Sequence, residues 1–521
     1  MRQSKSFYLA LITLVLGIYY LYCGIYLNKL GYSNPESLFY IEKAKIVFEG
    51  LGNRIKVMGL TTPIFPFYAT FLFTIISYTL APVIASAIGT AILFNIMANT
   101  LVKRVNNDFY LLVLLIIFLF HPGILYTACS GKAIYMVLIF FFLFFLNLLK
   151  FYRSNTTFHI SISSICLVVL VFCDYQFIWL ALFFIPLVLS IAVQSLNLSE
   201  KESIFRLFLT FNSPSLRRKL INKTFALYVI IFILPIASVI SYKLLNLTHA
   251  DDLNYFLESP YATWNVLSNS INYDQLTLFH NNIFIPQEVS LLISAKALVF
   301  CPLMVVAVYL FRESTYQLLT ILTPFAFIEF LHIADDKIFL VYEYFLIFLI
   351  LALLCIIIKA QTVKNQRVLK IIVGVLTLVQ IYTGYIFMTS SVIGDERNFI
   401  SMLFNRTDET QNDSRDIADY INSLPSANKI LVDDAVAYPV VAYVKDLKPL
   451  TMPYQDEFTS AIESPSRYDD YILIATAKNI YTGYTQVNDK YIEIIKKGNS
   501  SLKLQKTYEN DNWILYKIVA K

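Results

Sequence analysis

The chain has 521 residues, of which 57% are apolar and only 15% charged, with a formal net charge of +5. Soluble globular domains sit nearer about 45–50% apolar and about 25% charged, so an excess spread over hundreds of residues excludes a soluble enzyme and leaves a polytopic α-helical membrane protein. With 42 Phe and 36 Tyr against 14 Gly and 17 Pro, the composition also excludes a disordered or low-complexity chain.

Apolar runs of spanning length fall at 7–27, 83–102, 109–128, 132–149, 158–173, 176–194, 224–245, 289–311, 315–333, 338–358 and 371–391. The first is long for a signal-peptide core and lacks a small-residue cleavage site, so it reads as an uncleaved span. Lys and Arg gather at Arg2/Lys5, Lys103/Arg104, Lys150/Arg153, within 196–223 and over Lys359 to Lys370. By the positive-inside rule these stretches face the cytoplasm. The loops 28–62, 129–131, 246–288 and 334–337 then face the other side, as does everything from Gly394. Parity leaves one run too many between the external loop at 28–62 and Lys103. The weakest is 63–81, which follows Thr62 and ends against Pro82, and it is expected to be interfacial or re-entrant. The expectation is about 11 spans with an internal N-terminus and an external C-terminus.

From Gly394 charged and turn residues return at ordinary frequency. Helix-like patterns at 414–423, 435–443 and 488–496 alternate with strand-like ones at 429–433, 470–475, 502–507 and 513–519. The chain therefore divides into a membrane domain, 1–393, and a C-terminal extracytoplasmic α/β domain, 394–521. The tail carries no GxGxxG, Walker, HExxH or GxSxG motif. The six cysteines lie in apolar stretches without a CxxC pair and the five histidines are scattered, so neither a disulfide framework nor a metal site is indicated.

The first external loop holds the most suggestive chemistry. Asn34-Pro35-Glu36 opens a helix-like stretch through Glu42-Lys43-Ala44 to Glu49-Gly50, and Thr62-Pro63-Ile64-Phe65-Pro66 follows. Such a helix is expected to lie on the membrane surface with Glu36 at its N-terminus beside the lipid headgroups. The carboxylate there can act as a general base or meet a phosphate-bound metal ion; the plain alternative is a helix cap.

This loop, the many spans, and tail phrases such as IADYINSLPSANKILVDDAVAYPVVAYV, DDYILIAT and NDNWILYKI together resemble the GT-C superfamily of membrane glycosyltransferases, relatives of the protein mannosyltransferases and the aminoarabinose transferase. The resemblance covers most of the chain. It implies transfer of a sugar from a polyprenyl-phosphate donor to a glycan, lipid or protein acceptor outside a bacterial cell membrane. It carries over Glu36 as the catalytic carboxylate. In the second external loop, where the family supplies an acidic residue, Ala128-Cys129-Ser130-Gly131-Lys132-Ala133 supplies a lysine instead. Lys132 then becomes a ligand for the donor phosphate, with Lys337 standing in for a family arginine. Two loop carboxylates for a divalent metal are lacking, so no cofactor is assigned and the metal is left open. Asp174, between two apolar runs, marks a short turn or a substrate cavity. Asp251, Asp252, Trp264 and His332 complete the expected cavity, because aromatic faces and carboxylates suit sugar rings. Two other readings are a flippase for lipid-linked sugars and a noncatalytic lipid-binding relative. A flippase should carry internal repeats with paired broken helices, and no repeat is evident.

Overall fold

The structure is a computed structural model that describes residues 2–50, 52–105, 107–195, 214–263, 291–334, 343–391, 393–405, 412–479, 485–497 and 502–519. Helix α1 (Arg2–Lys29) leads through a turn to α2 (Pro35–Phe48), and the short α3 (Ile64–Phe71) precedes α4 (Ala81–Arg104). Then come α5 (Asp108–Phe120), α6 (Pro122–Cys129), α7 (Ile134–Ser154), α8 (Thr157–Cys173), α9 (Phe177–Ser195) and the long α10 (Pro214–Ala250). The bundle continues with α11 (Leu291–Phe300), α12 (Leu303–Phe311), α13 (Thr315–Ala334), α14 (Glu343–Lys359) and α15 (Gln366–Thr389).

Among the described residues six helices are long and apolar enough to cross a membrane, or seven if the bent pair α5–α6 is one span, and three further apolar helices are shorter. Two expected spans are broken. The run 109–128 bends by 61° between α5 and α6, and the described part of 289–311 is split between α11 and α12. Proline explains both, since Pro122 and Pro302 lack the N–H that would continue the helical ladder. At eight residues α3 is about 12 Å long, far short of the ~30 Å hydrocarbon core, so it cannot span.

Beyond the last apolar helix, α16 (Gly394–Leu403) and α17 (Asp413–Ser423) lead into a five-stranded sheet. Its elements are β1 (Ile430–Leu431), α18 (Asp434–Tyr443), β2 (Leu450–Thr451), β3 (Tyr471–Ala475), α19 (Gln486–Lys497), β4 (Lys503–Glu509) and β5 (Trp513–Val519), in the spatial order β2-β1-β3-β5-β4. β1 pairs in parallel with β2 and β3, whereas β5 runs antiparallel to β3 and β4. β3 is buried at all five positions, as a strand covered on both faces should be.

The helix α2 differs from its expectation. Ser37 through Val47 are all buried, so it is not a surface helix but a rod clamped between the bundle and the C-terminal region. Lys43 Nζ lies 2.5 Å from Asp434 Oδ2 at the N-terminus of α18. Lys45 Nζ donates to the carbonyls of Ala442 (2.7 Å) and Val444 (2.8 Å) at its C-terminus. Between them Phe39 packs edge-on against Tyr438, with ring centroids 5.4 Å apart. The Lys45 contact satisfies carbonyls that a helix end leaves without partners. One apolar cluster joins Tyr40, Phe67 and Tyr135 to Val436, Leu473 and Trp513, so the two regions share a core.

Candidate active site

The N-terminus of α2 is set by Asn34, whose Oδ1 accepts from the backbone N–H groups of Glu36 (2.9 Å) and Ser37 (3.3 Å). Pro35 occupies the first turn, where its missing N–H costs nothing. The capping side chain is thus Asn34, and the Glu36 carboxylate projects from the first turn, where the helix dipole favours a negative charge. Tyr40, one turn on, donates its hydroxyl to Glu36 Oε1 at 3.0 Å. Burial and the neighbouring Glu36 charge push the Tyr40 hydroxyl well above its ordinary range, so it stays a donor.

The other carboxylate oxygen, Oε2, lies 3.8 Å from Lys132 Nζ, and each of the two side chains is 15% exposed. Lys132 reaches this point through a tight turn between α6 and α7. Gly131 adopts φ +80°, and a methyl there would come within 2.5 Å of Ser37 Oγ and 3.0 Å of Pro82 Cβ. Ser37 Oγ donates to the Ser130 carbonyl at 3.0 Å, and the Lys132 N–H donates to Ser130 Oγ at 3.1 Å. These bonds hold the two loops in register. Gly131→Ala combines a left-handed alanine with that collision, and is expected to destabilise the protein by about 1–3 kcal/mol and to lower activity by separating Glu36 from Lys132. Thermal unfolding and turnover of the purified variant check this; unchanged values for both would show that the turn is not what sets the pair.

A second carboxylate, which sequence reasoning missed, stands beside the pair. Asp395, on α16, accepts through Oδ2 from Tyr126 (2.6 Å), Asn34 (2.7 Å) and Tyr32 (3.2 Å). Burial raises the Asp395 carboxyl, while the Tyr126 hydrogen bond, the Lys132 charge and the bonds from Asn34 and Tyr32 pull it back. Asn34 therefore links Asp395 to the start of α2. The only signal in the sequence was an acidic residue directly after the last apolar run.

Asp174 lies in the turn between α8 and α9, where Oδ1 accepts from the Gln176 N–H (2.9 Å) and Oδ2 from the Tyr344 hydroxyl (2.6 Å). Asp251, exposed and with φ +57°, and Asp252, which accepts from the Asn254 N–H at 2.8 Å, form a turn after α10 and make no contact with the Glu36–Lys132 pair among the described residues. Trp264, Lys337 and the side chain of His332 lie outside the described residues.

Among the described residues the site offers no ligand set for a divalent ion. Glu36 faces an ammonium rather than a second carboxylate, and Asp395 Oδ2 already accepts three hydrogen bonds. Among the described residues no group of three or more His, Cys, Asp or Glu side chains could hold a metal ion.

No family model and no curated protein matches the sequence. Among solved structures the chain is similar to the crystal structure of ArnT from Cupriavidus metallidurans bound to undecaprenyl phosphate, at 11% identity over 97% of each chain with a TM-score of 0.50. It is also similar to the apo oligosaccharyltransferase from Archaeoglobus fulgidus, at 12% identity over 88% of this chain and 69% of that one, with a TM-score of 0.39. The chain-long match to ArnT shows that the two chains share an overall fold, in keeping with the aminoarabinose-transferase resemblance of the sequence, and the apolar helices mark an integral membrane protein.

Proposed function

We propose that this protein is a membrane glycosyltransferase that takes a sugar from a polyprenyl-phosphate donor and passes it to a hydroxyl of a glycan, lipid or protein acceptor. The observation that carries the reading is the Glu36–Lys132 pair, a carboxylate and an ammonium 3.8 Å apart at the junction of the first two loops. A donor phosphate would engage Lys132, and partial burial would strengthen the attraction between the ammonium and the phosphate. Glu36, oriented by the Tyr40 hydroxyl, would then face the acceptor. In the reaction the acceptor oxygen forms a bond to the anomeric carbon, the bond from that carbon to the phosphate oxygen breaks, and the electron pair leaves with the polyprenyl phosphate. The acceptor proton goes to Glu36. Lys337 would add a second positive charge.

Incubating the purified protein with a polyprenyl-phosphate sugar and a membrane glycan extract should release polyprenyl phosphate and glycosylate the extract. Movement of the lipid-linked sugar across a vesicle bilayer without its cleavage would make the protein a carrier, and binding without either would make it a noncatalytic relative. The reading also requires the C-terminal region, 394–521, to face away from the cytoplasm. A cysteine at the exposed Ser423 should react with a membrane-impermeant maleimide in intact cells above the wild-type background, and one at the exposed Ser154 should not. The reverse pattern would remove the case for an external donor.

A further inference from the structure

A cavity of about 220 Å³ lies between the juxtamembrane turns and the C-terminal region, bordered by Leu38 and Ile41 of α2 and Tyr443 of α18. Its floor includes Asn34, Ser37 and Ser130, the residues whose hydrogen bonds anchor Glu36 and Lys132. Its walls and rim include Asn28, Ser33, Thr79, Arg415, Asp419 and Tyr443. Arg415 and Asp419 stand one turn apart on α17, exposed at the mouth, and Tyr443 and Asn28 are half-buried. Among the described residues neither charged side chain makes an ion pair or hydrogen bond, although their i,i+4 spacing would permit one.

We infer that this cavity is a sugar-binding subsite for the acceptor, formed jointly by the membrane bundle and α17; the assignment to the acceptor rests on the glycosyltransferase reading. The lining offers one carboxylate, one guanidinium, two amides and several hydroxyls. That set is nearly neutral and mixes acceptors with donors, which suits the paired hydroxyls of a sugar ring rather than a simple anion. The Tyr443 ring adds an aromatic surface for the ring's apolar face. The volume falls below the roughly 300–1,000 Å³ of pockets for drug-sized ligands, so it accommodates a single ring and not a polyprenyl chain. A ring held here would touch Asn34, Ser37 and Ser130, whose hydrogen bonds hold the loops that carry Glu36 and Lys132. The C-terminal region thereby contributes to acceptor choice through α17.

The test uses the full-length protein in nanodiscs without donor, and methyl glycosides of glucose, galactose, mannose and N-acetylglucosamine as probes in ligand-observed NMR. At least one glycoside should bind, and Asp419→Asn and Arg415→Met should each weaken it about tenfold, with unchanged thermal midpoint and unchanged affinity for a polyprenyl-phosphate sugar. Because both positions are exposed, loss of folding is not an expected complication. Binding by none of the four, or equal binding by both variants, overturns the subsite; so does weakening of inorganic phosphate binding by Arg415→Met alone, which would make the cavity an anion site. If glycosides bind as expected but no transfer occurs with any acceptor, the cavity stands as a sugar site and the transferase reading falls. If transfer occurs and Asp419→Asn leaves the acceptor KM unaltered, the reading stands and the subsite falls.

Discussion

Glu36→Gln is expected to lower sugar transfer by about two to four orders of magnitude, the usual contribution of a positioned general base. Glutamine keeps the size of the side chain and can still accept from the Tyr40 hydroxyl, but cannot take a proton from the acceptor. The ion pair that it removes is partly exposed and its stabilisation is at most about 1 kcal/mol, so expression and thermal midpoint should change little. Turnover and unfolding measured on the same preparation separate the two effects. Full activity would reduce Glu36 to a partner that positions Lys132. The lysine should behave differently: Lys132→Met removes a charge-assisted hydrogen bond to the donor phosphate, so donor affinity should fall about tenfold to a hundredfold. Equal donor binding by wild type and Lys132→Met would move the phosphate site elsewhere.

Lys43→Met should instead unfold or loosen the protein. The Lys43 ammonium is fully buried between Glu42 Oε2 at 3.2 Å and Asp434 Oδ2 at 2.5 Å, with the Tyr454 hydroxyl also at 2.5 Å. It lies over the rings of Phe39 and Tyr454, 4.6 and 4.7 Å from their centroids. Burial by itself lowers the lysine, but the Asp434 and Glu42 carboxylates more than reverse this and hold it charged. Glu42, by contrast, is pushed well above its ordinary range, first by burial and then by Asp434, with Lys43 opposing. Removing the cation leaves two carboxyl groups confronting each other without water, and breaking a buried pair in this way costs about 3–5 kcal/mol. The expected result is a large fall in thermal midpoint together with new protease sensitivity between α2 and α18. Lys43→Met combined with Asp434→Asn should recover part of the loss, because the second change removes the charge left uncompensated. A single variant as stable as wild type would mean that the carboxyl groups take up protons at little cost.

The contrast between these sites follows from what a sequence encodes locally. The apolar runs determine where helices can cross a membrane, and Asn34-Pro35 determines where α2 begins, because hydropathy and capping act within a few residues. Pro122 and Pro302 carried the breaks in two expected spans, a local signal that the hydropathy of the runs concealed. Glu36 and Lys132 were each legible as ionisable groups at loop positions, but their approach to 3.8 Å across 96 positions depends on α1, α4 and the Gly131 turn packing two loops together. Asp395 read as the first acid of a polar tail; only the convergence of Tyr32, Asn34 and Tyr126 around it makes it part of the site. Glu42, Lys43 and Lys45 belonged to a helix expected to lie on the membrane surface. Tertiary structure reversed that reading, since α18 covers this face and supplies the charges and carbonyls that make burial of the lysines affordable only there. Pairing partners of buried charges come from distant segments, and no local pattern announces them.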